Sequence, residues 1–303
     1  MAPPDSYTMS RFLDSKRTID DRALNKDVFQ RLKGELKAPG ERLEVLEVGA
    51  GLGTMIARLV EWGVLESASY TLLDLDGTLL SDSRSWLTDW AREQGLSVSK
   101  EEGRLAIAGD SVDLQVSFVE ADIRDYLGKP RSIRADLLIA NAFLDLVDLN
   151  TILPDLLGLV RSGGLCWFTI NFDGETIFQP SHQSDQRLLS VYHRSMDERT
   201  SGEHRAGHSR TGRLLFSALP DAGVRILSAG ASDWVVFPDG DVYPHKESYF
   251  LHHILNTVDL ELRRHSDVDR QELETWVAER QEQVEQGRLV YIAHQVDLLG
   301  RVG

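Results

Sequence analysis

The sequence contains only one cysteine, Cys166, among 303 residues, and it lies in an apolar run. A single cysteine excludes an internal disulfide and a cysteine-rich zinc site, which fits a reducing compartment. The sequence also lacks an apolar stretch approaching the roughly 20 residues that span a bilayer, and its opening MAPPDSYTMSR has no apolar signal core. We therefore expect a cytoplasmic protein with no membrane partner.

Positive charge is scarce as well. Lys and Arg total 33 against 48 Asp and Glu, which gives a net charge of −15. Since affinity for phosphate backbones depends on Lys and Arg, this balance argues against a nucleic-acid partner and favours a small molecule. The length predicts one large domain or a domain with insertions, and nothing in the sequence excludes a homodimer.

Several catalytic motifs are missing too. No GxSxG elbow or Walker A sequence occurs, so the hydrolase and P-loop classes lack their signatures. His204 and His208 are four residues apart, but a glycine lies between them and no third ligand stands at a characteristic spacing. We predict no metal site.

What the sequence does contain is the stretch EVLEVGAGLGTMIARLVEWG, residues 44–63. A short apolar run of the kind found in strands buried on both faces ends at Gly49, Gly51 and Gly53, and apolar residues then repeat at helical spacing up to Gly63. The pattern predicts a strand, a tight loop and a helix. Such a loop lets backbone N–H groups approach a nucleotide-like ligand.

The glycine spacing separates two classes of nucleotide site. The dinucleotide fingerprint GxGxxG needs its third glycine where Thr54 stands, and an acid, Glu47, precedes the first glycine by two residues. EVGAGLG resembles motif I of the class I S-adenosylmethionine-dependent methyltransferases. The resemblance implies S-adenosyl-L-methionine as cofactor. It also implies an α/β, Rossmann-like class I methyltransferase sheet, mostly parallel and seven-stranded, with the last strand antiparallel.

Further acids follow at the distances that this resemblance requires. Asp74 ends the second predicted strand, about 20 residues past the glycines, where a ribose ligand belongs; Asp76 competes for that role, and both acids could instead begin a turn. Asp122 matches the acid after the third strand that accepts from adenine. The predicted cofactor-binding residues are Glu47, Gly49, Ala50, Gly51, Gly53, Asp74, Leu75, Asp122, Ile123, Asn141 and Arg22.

Later strands complete the predicted sheet. Residues 105–118 should form a hairpin. Residues 137–139 should form an apolar strand that leads to Asn141, without the NPPY sequence of amino-group methyltransferases acting on nucleic acid or protein amides. A GG turn leads into a strand over 165–170, after which Asn171 and Asp173 should emerge on the ligand side. Residues 289–296 form the reversed last strand.

Residues 1–40 are predicted to be an N-terminal helical lid on a methyltransferase domain over 41–303, with insertions at 174–208 and 238–287 that roof the crevice. Residues 11–40 carry eight Lys and Arg against five acids, and Leu24 to Leu36 should form a helix ending before Pro39. Arg22 is predicted to pair with the methionine carboxylate; the alternative is a solvated helix face.

Methyl transfer from a sulfonium requires mainly alignment of the acceptor, and a base only if the acceptor must lose a proton early. His193 is the first candidate base, with an ordinary surface histidine as the alternative, and Asp145 is the second. The favoured function is transfer to O, N or C of a small molecule. Two alternatives stay open: an NAD(P)-dependent oxidoreductase, and a non-catalytic S-adenosylmethionine-binding protein.

Overall fold

The computed structural model describes residues 2–36, 41–101, 103–129, 134–202 and 204–303 as one large sheet with helices on both faces. The helices are α1 Met9–Ser15, α2 Arg17–Ala23, α3 Lys26–Glu35, α4 Thr54–Glu61, α5 Gly77–Glu93, α6 Ile123–Leu127, α7 Leu149–Leu157, α8 Asp185–Glu198, α9 Thr211–Asp221, α10 Glu247–Leu262 and α11 Arg270–Glu285, with a 3-10 turn at Leu144–Leu146. The strands are β1 Leu43–Val48, β2 Ser67–Asp74, β3 Ser97–Glu101, β4 Arg104–Ala108, β5 Asp113–Glu120, β6 Ala135–Asn141, β7 Val160–Gln179, β8 Thr200–Ser201, β9 His204–Arg205, β10 Val224–Ala231, β11 Trp234–Val236 and β12 Val290–Val302.

The strand order confirms the predicted fold class. The sheet runs β10-β12-β7-β6-β1-β2-β5-β4-β3, with β11 beside β12. Strands β5, β2, β1, β6 and β7 are parallel to one another, whereas β12 is antiparallel to both β7 and β10. Seven strands therefore form a parallel sheet in which only the last strand is reversed. Strands β3 and β4 extend its far edge.

The central strands are buried on both faces, as their continuous apolar sequence predicts. Along β6, Leu137 and Ile139 pack into one cluster with helices α3, α4, α5 and α10, and Leu138 and Ala140 pack into a second with α7 and α9. The alternation follows from the two-residue period of strand side chains. Because β1, β2, β5 and β6 run parallel, their carboxyl ends lie together at one edge of the sheet.

Strand β7 corrects one sequence expectation. Its backbone reaches φ 57° at Ile170 but does not end there, because β12 continues to pair with it as far as Gln179. Asn171 is consequently fully buried and donates to the Val296 carbonyl, and Asp173 accepts from Arg213. These two residues do not emerge freely on the ligand side.

The predicted helices and hairpin are otherwise present. Strands β4 and β5 form the hairpin, Val28 and Leu32 bury the inner face of α3, and Asp269 caps α11 by accepting from Glu272 N–H. The predicted helix stop at Pro39 lies outside the described residues. Strand β3 was not predicted, since Val98 is its only large apolar residue and it pairs on one edge alone.

Candidate active site

The glycine bend between β1 and α4 takes the backbone conformation that its composition predicts. Gly49, Gly51 and Gly53 have φ of 61°, 55° and 70°, a left-handed region costly for residues with a Cβ. The bend is held to β2 because Ala50 N–H donates to the Leu73 carbonyl over 3.1 Å. Backbone N–H groups at the start of α4 are thereby set at the carboxyl edge of the sheet.

Asp74 joins this bend to the second strand. One carboxylate oxygen accepts from Gly51 N–H at 2.8 Å, and the other accepts from Asp76 N–H at 3.0 Å. A carboxylate oxygen can accept more than one hydrogen bond, so acceptor positions remain. The predicted methionine-binding bend and the predicted ribose ligand are therefore adjacent.

Asp76 caps a helix instead of facing the glycine bend. Its side chain caps α5 by accepting from Thr78 N–H at 2.9 Å and Leu79 N–H at 3.2 Å. Of the two competing acids, Asp76 is therefore committed to a helix cap. Leu75 lies between them with 67% of its side chain exposed.

Glu120 was missed by sequence reasoning. It is the register partner of Asp74, and a Cβ on Gly77 would overlap its carboxylate. With Leu75 and Asp76 it borders an open depression of about 780 Å³ beside Asp74. The signal in the sequence was its position as the last residue of a strand adjoining the Asp74 strand.

Asp122, Ile123 and Asn141 stand at the ends of the neighbouring strands. Asp122 caps α6 by accepting from Arg124 N–H at 2.8 Å, and Ile123 is buried behind it. The Asn141 amide oxygen accepts from the Thr169 hydroxyl at 2.8 Å. All three lie along the edge where the bend and Asp74 lie.

Glu47 points into the protein rather than to the surface of the crevice. It is 2% exposed and accepts from the Tyr70 hydroxyl at 2.7 Å. Burial raises the pKa of Glu47 to about 8, against the lowering effects of that hydrogen bond and of the positive charges on Arg58 and Lys16. The side chain of the motif acid is therefore held against Tyr70 of β2.

The N-terminal helices are attached by buried polar contacts. Fully buried Asp20 pairs with Lys16, lies 3.4 Å from Arg58, and accepts from the Trp234 indole at 2.9 Å. Arg58 also contacts Asp21 at 2.5 Å. This cluster fixes α2 against α4 and β11.

Arg22 is engaged elsewhere than the sequence hypothesis proposes. Its guanidinium donates to both carboxylate oxygens of Glu247 at 2.6 and 3.0 Å, and Glu247 is fully buried. The solvated-face alternative is also incomplete, because the carboxylate partner lies in α10. Whether Arg22 also meets a cofactor stays a prediction.

Two apolar side chains cover the glycine bend. A Cβ on Gly49 would overlap the Phe143 ring, and one on Gly51 would lie 2.7 Å from Leu13 Cδ1. Leu13 belongs to α1, which also contacts α5 and α10. The Leu13 side chain therefore lies directly over the bend.

Asp145 lies in the 3-10 turn that follows β6, two residues after Phe143. Its Oδ1 is buried and has no hydrogen-bond partner within the described ranges, and its backbone carbonyl accepts from His208 N–H at 3.3 Å. Burial raises the pKa of Asp145 to about 6, and the positive charges of Arg199 and Lys16 act in the opposite direction. Lys16 also acts on Glu47, so Asp145 and the β1 end share a charged neighbour.

His193 lies in a different place. Its Nε2 is 3.0 Å from the Thr176 hydroxyl, and burial lowers its pKa. It borders a groove of about 550 Å³ between the β7 extension and α8, whose lining includes neither Asp145 nor the glycine bend. The structure thus separates the two predicted catalytic residues.

The described histidines do not converge. Over the described ranges, no group of three His, Cys, Asp or Glu side chains has an arrangement suited to a metal ion. His208 Nδ1 instead accepts from Arg210 N–H at 3.0 Å. Likewise, no helix in the described part of the chain is long and apolar enough to cross a membrane.

Comparison with known proteins gives likenesses in structure only. No family model matches the chain, and no curated protein matches it in sequence. Similar solved structures include geranyl diphosphate C-methyltransferase from Streptomyces coelicolor A3(2), crystallised with Mg²⁺, geranyl diphosphate and S-adenosyl-L-homocysteine. The two chains are 14% identical and superpose with a TM-score of 0.44, and the match covers 92% of this chain and 76% of that one. YjhP from E. coli has 13% identity and a TM-score of 0.43 over 95% of this chain and 98% of that one. A geranyl diphosphate methyltransferase in complex with SAM is 13% identical, with a TM-score of 0.42, and the match covers 91% of this chain and 85% of that one.

The sheet itself has the arrangement predicted from the sequence: it is Rossmann-like and mostly parallel, with the reversed last strand β12 between β7 and β10. The site at its carboxyl edge consists of the glycine bend and Asp74.

Proposed function

We propose that this protein is an enzyme that transfers a methyl group from S-adenosyl-L-methionine to a small-molecule acceptor. The observation that carries the proposal is the hydrogen bond from Gly51 N–H to Asp74 at the tips of two adjacent parallel strands. It puts a bend suited to the amino-acid end and a carboxylate suited to the ribose hydroxyls within one ligand's reach. In open α/β sheets this edge is where ligands bind.

The residues present fit the cofactor. The left-handed glycines permit close approach of a ligand to the backbone, Asp74 retains acceptor capacity, and exposed Leu75 offers an apolar surface beside the depression bordered by Glu120. Glu47 would act by supporting the bend. The bound cofactor would supply a methyl group already activated by a positive sulfur.

The protein's own part would be alignment and exclusion of water. Effective alignment of two reactants can supply about 7–11 kcal/mol of a barrier. Phe143 and the α1 lid would keep water from the reacting end. Asp145 Oδ1, which has no hydrogen-bond partner among the described residues, would accept the proton of an O–H or N–H acceptor. The acidic surface agrees with a small acceptor rather than nucleic acid.

The cofactor assignment is tested with two matched variants. Asp74→Asn removes the predicted ribose ligand, whereas Asp76→Asn alters the neighbouring acid but keeps a good helix cap. We expect Asp74→Asn to weaken S-adenosylhomocysteine binding in calorimetry at least tenfold, which corresponds to about 1.4 kcal/mol, and Asp76→Asn to change it less than threefold.

Calorimetry also separates the remaining alternatives. Tighter binding of NADH than of S-adenosylhomocysteine would support an oxidoreductase. Undetectable S-adenosylhomocysteine binding by the intact protein, with Gly51→Arg behaving identically, would refute the cofactor. Good affinity without methylation in a broad metabolite screen would indicate a binding protein.

A further inference from the structure

The end of α8 lies close to the 3-10 turn that carries Asp145. Tyr192, Met196 and Arg199 are spaced by four and three residues, so they share one face of this helix and its cap. His193 belongs to the adjacent face, on the separate groove. The Tyr192 face therefore borders a different space from the groove.

The chain that follows α8 connects Arg199 to Asp145. Ala206 N–H donates to the Arg199 carbonyl at 2.9 Å, and His208 N–H donates to the Asp145 carbonyl at 3.3 Å. Gly207 lies between them so tightly that a Cβ there would be 2.7 Å from the Asp145 carbonyl oxygen. Three consecutive residues thus join the backbone at Arg199 to the backbone at Asp145, which follows two residues after Phe143 at the glycine bend.

The two charges are close but not paired. Arg199 is half-buried and, among the described residues, its guanidinium makes no hydrogen bond or ion pair, while Asp145 Oδ1 is buried without a partner. The positive charge of Arg199 nevertheless acts against the burial that raises the pKa values of Asp145 and Tyr192. Opposite charges held apart in a partly desolvated site favour a ligand that satisfies both.

We propose that the methyl acceptor carries an oxyanion, either carboxylate or phosphate, that binds Arg199, and an O–H or N–H group that donates to Asp145 Oδ1. This inference rests on the proposed function and names the acceptor class for the same site. The planar guanidinium matches the oxygen geometry of both oxyanions. Asp145 would bind the nucleophilic end of the same molecule.

The proposal is tested with oxyanion probes and their neutral counterpart. Benzoate, phenyl phosphate and benzamide share a flat ring and differ in charge. Binding of each to the full-length protein is measured by calorimetry, with and without saturating S-adenosylhomocysteine. We expect benzoate or phenyl phosphate to bind at least tenfold more tightly than benzamide, and the stronger of the two identifies the oxyanion.

Variants assign the effect to the site. Arg199→Gln should abolish the preference for the acid and Arg199→Lys should retain part of it. Arg205→Gln, which removes an equal charge from an exposed position six residues away, should leave the preference unchanged. Urea unfolding of each variant confirms that it is folded.

Three outcomes would overturn the inference: no acid binding at 10 mM, equal binding of acid and amide, or an unchanged preference in Arg199→Gln. Failure of the proposed function is distinguishable, because S-adenosylhomocysteine binding is measured separately and each probe is also tested without it.

Discussion

At the scale of single residues, Glu47 is an acid buried next to the glycine bend. Its carboxyl is enclosed with Tyr70, and burial raises its pKa to about 8 from an ordinary value of 4.5. The native state therefore binds more protons than the unfolded chain between these values, and its stability must fall as pH rises through that window. The slope approaches about 1.4 kcal/mol per pH unit at most.

Glu47→Gln should remove this dependence. The amide keeps an acceptor for the Tyr70 hydroxyl and cannot ionise, so we expect the variant's stability relative to wild type to increase steadily from pH 5 to pH 8. Urea unfolding at unit intervals of pH measures it. A difference between the two proteins that stays constant with pH would contradict the buried, protonated carboxyl.

Residue roles were predictable where local sequence determines geometry. The three glycines adopt left-handed φ because the strand must turn sharply into α4, and the distance to Asp74 follows from the length of one helix and one strand. Arg22 was not predictable, since its partner Glu247 is 225 residues away. The same holds for the unpaired Asp145 oxygen, which depends on residues 206–208.

At the scale of elements, α1 decides access to the bend. Leu13 lies over Gly51, and a ligand approaching the bend must displace that side chain. Burial of a leucine side chain stabilises by roughly 1.5–3 kcal/mol, which sets the upper limit for the free energy of displacement.

Leu13→Ala should therefore bind S-adenosylhomocysteine more tightly, by about threefold to tenfold, and associate faster. Met9→Ala is the control, because Met9 is on the same helix and is half exposed. Stopped-flow fluorescence and calorimetry measure the two quantities. Weaker binding by Leu13→Ala would mean that Leu13 contacts the ligand instead of blocking it.

Strand β7 shows where patterns of sequence stop being informative about elements. Its apolar residues predicted a strand ending at Ile170, which is where the parallel partner β6 ends. The extension to Gln179 depends on pairing with β12, more than 100 residues later. Sequence periodicity contains no signal for such a partner.

At the scale of the whole molecule, helix α2 is joined to α10 by the Arg22 to Glu247 pair. In the part of the chain that the structure describes, Arg22→Ala would leave the fully buried Glu247 carboxylate with the Thr18 hydroxyl, at 3.0 Å, as its one remaining side-chain partner. We expect a loss of about 1–3 kcal/mol in unfolding free energy, since the Arg22 side chain is itself partly exposed.

Adding Glu247→Gln should recover part of that stability, with S-adenosylhomocysteine affinity within threefold of wild type in both proteins. Chemical unfolding and calorimetry measure the two effects. A large loss of affinity at unchanged stability would instead support the sequence hypothesis that Arg22 binds the methionine carboxylate.

The position of β12 has a consequence for biosynthesis. This strand lies between β7 and β10, yet the ribosome makes it after every other strand of the sheet. Until residue 302 has been translated, β7 and β10 each present an open edge that can pair with another nascent chain. Chains that terminate before residue 290 should therefore accumulate as insoluble aggregates or be captured by chaperones.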